Sequence, residues 1–129
     1  MKRPASSIVI VAALVTAFVA GCVAPSVPVP PPSPSDMVFG LDTTSGEATY
    51  SANLGGDWAN SWVSVYDDTT GTGVLDRSDG QGHVGPTAPW RANDGDHVRI
   101  VFQRDDGEES GVCLILRGGP SSPNNACTN

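Results

Sequence analysis

His97-Val-Arg-Ile-Val-Phe-Gln103 and Gly111-Val-Cys-Leu-Ile-Leu-Arg117 are the stretches whose pattern decides the fold. In the first, Val98, Ile100 and Phe102 alternate with Arg99, Val101 and Gln103, which gives one apolar face and one half-polar face, the period of a β-strand. In the second, Val112 to Leu116 is apolar on both faces, so a central position covered on both sides is expected for it. Asp106-Gly107 between them suits a turn that needs a positive φ, and the two stretches read as an antiparallel hairpin.

Working outward, the same signals recur. Val38 to Leu41, Ala48 to Leu54, Trp62 to Tyr66 and Gly73 to Asp76 are short β-like segments, separated by Thr43-Thr-Ser-Gly46, Leu54-Gly-Gly-Asp57, Asp67-Asp-Thr-Thr-Gly71, Asp79-Gly80 and Asn93-Asp-Gly-Asp96. No apolar period of 3.6 residues runs beyond about two turns. The expectation for residues 37–129 is an all-β domain, a small antiparallel sandwich or barrel.

The rest of the 129-residue chain has a different composition. Met1 to Ser7 carries Lys2 and Arg3 and no acid, Ile8 to Val19 is apolar apart from Thr16, and Val19-Ala20-Gly21-Cys22 closes the run. About a dozen apolar residues are too few to span a bilayer as a helix and have the shape of a secretory signal. Val19-Ala20-Gly21-Cys22 resembles the lipobox of bacterial lipoproteins, and the resemblance is limited to this N-terminal signal. It implies cleavage between Gly21 and Cys22, a diacylglyceryl group on the Cys22 thiol, and attachment at the extracytoplasmic face of a membrane. Two acyl chains hold a protein stably at a bilayer where one does so only marginally. From Val23 to Asp36, six prolines and no charge before Asp36 predict a disordered, extended stalk. The expected organisation is therefore a cleaved signal over 1–21, a lipidated stalk over 22–36 and a folded domain over 37–129.

Removal of residues 1–21 would leave five arginines against 14 acids, a net charge of −9. Such a charge disfavours nucleic acid and anionic lipid headgroups as partners of the domain. Cys113 and Cys127 form an even pair once Cys22 is lipidated, and an oxidising compartment predicts a disulfide between them.

The chemistry-bearing motifs are sparse. His83 and His97 are isolated, and no HExxH, CxxC, Gly-x-Ser-x-Gly or phosphate-cradling loop occurs, so no catalytic residue is assigned. Asp76 to Asp79, Asn93 to Asp96 and Asp105 to Glu109 offer loop oxygens to calcium, but none follows the 12-residue calcium-loop pattern; no metal or other cofactor is expected. Trp58, Trp62 and Trp90 remain as candidates for stacking on a sugar ring or anchoring a protein, with at least one of Trp58 and Trp62 expected in the core. The function expected from these features is a non-enzymatic interaction module tethered to the envelope, with an envelope protein or glycan as partner. A phage- or prophage-encoded superinfection-exclusion lipoprotein and a small envelope hydrolase are the alternatives.

Overall fold

The computed structural model describes residues 28–118 and Cys127. Within them the chain forms two antiparallel sheets packed face to face, the expected all-β sandwich. Sheet A contains β1 (Met37–Asp42) and β2 (Glu47–Asn53), with two short strands, β5 (His83–Val84) and β6 (Trp90–Arg91), pairing with opposite ends of β2. Sheet B has the order β4-β3-β7-β8, where β3 is Trp62–Asp67, β4 is Thr72–Arg77, β7 is His97–Gln103 and β8 is Glu109–Ile115. Three hairpins, β1–β2, β3–β4 and β7–β8, supply most of the pairing. The described residues contain no helix long and apolar enough to cross a membrane.

Period-two burial follows from the sequence alternation. Met37 and Phe39 of β1 and Ala48, Tyr50 and Ala52 of β2 face Val63 and Val65 of β3, Val98, Ile100 and Phe102 of β7 and Leu114 of β8 across the interface. Aromatic pairs add directional contacts. Phe39 packs on Tyr50 and Trp90 at ring-centroid distances of 5.4 and 6.2 Å, and Trp58 packs on Phe102 at 5.7 Å.

β6 also ties the sheets together at one side. Its Trp90 pairs with Ala48 in sheet A, while its Arg91 carbonyl accepts hydrogen bonds from the Thr70 and Thr72 hydroxyls beside β4. Gly82, at φ +86°, is required where the 79–83 turn meets the 55–58 turn, because a Cβ there would lie 2.0 Å from the Gly55 carbonyl oxygen.

β8 corrects the expectation of a central strand: it is an edge strand, and β3 and β7 are the central pair. Its second apolar face has a separate cause. Cys113 bonds Cys127, whose N–H donates to the Cys113 carbonyl at 3.1 Å, so the C-terminal chain returns to this edge and Cys113 and Ile115 are half-buried. The disulfide is the predicted one, with a Cα separation of 5.3 Å.

The proline-rich segment meets the domain before Met37. Val29 packs on the core, its N–H donates to Glu108 Oε1, and Pro32 is buried. A 3-10 turn at Pro34–Asp36, started by Ser33, leads into β1. Gly21 and Cys22, the expected cleavage and lipidation positions, lie outside the described residues.

Candidate functional site

The three tryptophans divide between core and surface. Trp58 (2% exposed) and Trp90 (4% exposed) are buried, so neither is available for surface recognition; Trp62 (42% exposed) is. The reason is local. Trp58 ends a 3-10 turn whose chain is folded under sheet B, Trp90 occupies an inward position of β6, and Trp62 is out of phase with the inward-facing Val63 and Val65.

Trp62 is accompanied by residues that the sequence did not single out. Trp62, Ser64 and Tyr66 share the outer face of β3. Across β4 they oppose Arg77, Leu75 and Gly73, and across β7 they oppose Gln103, Val101 and Arg99. Tyr66 (44% exposed) and Leu75 (63% exposed) complete an apolar stripe with Trp62. Between Tyr66 and Leu75 lies a shallow groove of about 330 Å³, floored by Ser64 and Gly73. Gly73 is needed here because a Cβ would stand 2.2 Å from the Val65 carbonyl oxygen.

Two arginines frame the stripe, and both are held. The Arg77 guanidinium lies 5.2 Å from the Trp62 ring centroid, donates through Nη2 to both Asp105 carboxylate oxygens at 3.1 Å and donates through Nε to the Asn60 carbonyl. Arg99 pairs with Asp68, which holds its pKa above the usual arginine range. Exposed pairs of this kind contribute little to stability; here they place a cation at each end of the stripe. The face is therefore aromatic, nearly flat and locally charge-balanced, on a chain that is otherwise acidic.

The acidic loops are engaged in their own turns. Asp79 Oδ1 accepts from the Gln81 and His83 N–H groups at 2.8 and 3.0 Å; these bonds, that from His83 first, lower its pKa. Asp42 is lowered in the same way, chiefly by the Thr44 and then the Ser45 N–H. Asp94 pairs with Arg117, and Asp106 and Glu108 flank Arg104. Among the described residues no group of three or more His, Cys, Asp or Glu side chains is placed to hold a metal ion.

His83 stands 3.5 Å from Asp79 on the surface, and His97 is exposed at the start of β7. A second shallow groove, about 340 Å³, runs over the outer side of sheet A past Val38, Ser51, His83 and Pro86, without an exposed Trp, Tyr or Phe. The class defined by these features is a disulfide-closed β-sandwich with one aromatic sheet face. No family model, curated protein or solved structure matches the chain.

Proposed function

We propose that the protein is a lipid-anchored envelope protein whose β-sandwich is a non-enzymatic interaction module, and that the outer face of sheet B is its contact surface. The observation that carries this reading is the Trp62, Tyr66 and Leu75 stripe, exposed on one sheet face and bordered by prepositioned Arg77 and Arg99. A contiguous exposed apolar patch rimmed by polar side chains is the kind of surface that a partner covers. The Trp62 ring, stacked by Arg77, loses less side-chain freedom than an unsupported ring when a partner lands, which favours affinity.

The tether follows from the N-terminal resemblance: Cys22 would carry the lipid, and the acidic domain would be repelled by anionic headgroups rather than lie on them. An envelope protein or glycan is the partner that a module at this location would meet.

The mature protein and a Trp62→Ala/Leu75→Ser variant should be compared in two arms, cross-linking to solubilised envelope proteins and co-sedimentation with insoluble envelope glycan. Retention by the parent in one arm, reduced at least about tenfold in the variant, is expected for loss of central contacts. Equal retention of both proteins, or of neither, refutes the assignment of this face. Cys22→Ala tests the tether separately, since detergent-phase partitioning should be lost.

A further inference from the structure

The inner face of sheet B ends on acids where a core would otherwise continue with apolar residues. In β3, Val63, Val65 and Asp67 share the buried face, and Asp67 is 0% exposed. In β7 that face carries Val98, Ile100 and Phe102, and Asp96, two residues before Val98 and 5% exposed, extends it. Asp67 pairs with Val98, so Asp96 lies diagonal to Asp67 at the same end of the sheet.

Both carboxyls are partly used by their own turns. Asp67 Oδ1 accepts from the Thr69 and Thr70 N–H groups at 2.9 and 3.0 Å, and Asp96 Oδ2 accepts from the Asn93 N–H at 2.7 Å. Asp67 Oδ2 is buried without a hydrogen-bond partner among the described residues, and the β3–β7 register puts buried Asp96 diagonally beside it. Two ionised carboxylates in contact away from water repel each other and lose hydration, whereas a single proton between them supplies the missing donor.

We propose that Asp67 and Asp96 share one proton in the folded protein, as a buried latch that joins the 67–71 turn to the 93–96 turn and weakens when rising pH removes that proton. The surroundings support this. From the neighbouring elements, Asp68 and Asp94 turn outward to Arg99 and Arg117, while His97 and Arg91 are exposed. Tyr50, from sheet A, is buried, and that burial pushes its phenol pKa up, so it stays neutral throughout. Burial likewise is the main influence raising the Asp67 pKa; the Thr70 N–H opposes it and the Asp96 carboxyl reinforces it.

A folded-state pKa above the unfolded one means that the folded protein binds the proton more tightly. The stabilisation is full below the ordinary carboxyl range and is lost as pH rises through the raised value. Asn at either position imitates the protonated form, because its amide N–H₂ can donate to the remaining carboxylate while its oxygen keeps the turn contacts.

The test is thermal unfolding of the full chain, purified in mild detergent, at about pH 5 and about pH 7.5. The parent should lose several degrees of Tm at the higher pH. Asp67→Asn and Asp96→Asn should each remove most of that difference, and at least one should melt above the parent at the higher pH. Should one variant fail to fold, the other carries the same comparison. A parent Tm that does not fall with pH, or an unchanged pH difference in a folded variant, overturns the proposal. So does a parent Tm raised at the higher pH by millimolar calcium or magnesium but unaffected by these ions in Asp67→Asn, which would make the pair a cation site.

Discussion

Replacing Ser78 with alanine removes one oxygen and orphans two backbone groups. Ser78 is 3% exposed, and its Oγ donates to the Trp58 carbonyl at 2.5 Å while accepting from the N–H of fully buried Ser61 at 2.9 Å. The hydroxyl thereby fastens the 3-10 turn carrying Trp58 to the start of β3. The Ser78 N–H to Ser61 carbonyl bond, 2.9 Å, would survive the change, so the segment keeps its place and the two orphaned groups stay buried. Each costs about 1–3 kcal/mol when left unsatisfied. Allowing for partial relaxation, Ser78→Ala should lose about 2–4 kcal/mol, a large share of the roughly 5–15 kcal/mol typical of a folded domain. Urea unfolding followed by tryptophan fluorescence should show a lower midpoint with an unchanged m-value, and Tm should fall by about 10–25 °C for a domain of this size. A loss below about 0.5 kcal/mol, the range of ordinary surface substitutions, would refute the two-bond accounting.

Further outcomes follow from the same structure. Cys113→Ser/Cys127→Ser opens a bridge with a sequence separation of 14 and should cost about 3 kcal/mol by the chain-entropy relation, read by denaturant unfolding of oxidised parent and variant. Acrylamide should quench a single accessible tryptophan, and that component should disappear in Trp62→Phe. Trp58→Ala should lose about 3–5 kcal/mol as a core truncation, whereas Trp62→Ala should change stability by less than about 1 kcal/mol.

Much of the sandwich is legible from alternation, because each main strand buries one face. Val98, Ile100 and Phe102 declare the inner side of β7 before any coordinates are considered, and the glycines after Asp94 and Asp106 declare its flanking turns. β8 is misleading since apolar residues on its second face are compatible with either a neighbouring strand or a returning tail, and composition does not separate these. β5 and β6 are two residues each, too short for any period to register. For the site, Trp62 is readable as outward from Val63 and Val65, but Tyr66, Leu75 and Arg77 join it only through the β3–β4 register. Asp67 looks like an ordinary turn acid beside Asp68. Extending the period of two by one step sends Asp67 inward and Asp68 outward, yet its partner Asp96 comes from 29 residues away and is brought near only by the β3–β7 pairing.

The return of Cys127 to β8 bears on self-association. β8 is the last strand of sheet B, and the Cys127 N–H occupies a carbonyl on its open side. An uncovered edge with Val112, Cys113, Leu114 and Ile115 in sequence is a template on which another chain can add a strand. The disulfide thus guards against intermolecular strand pairing as well as shortening the unfolded chain, and reducing conditions should shift the protein toward sheet-edge oligomers before its core comes apart.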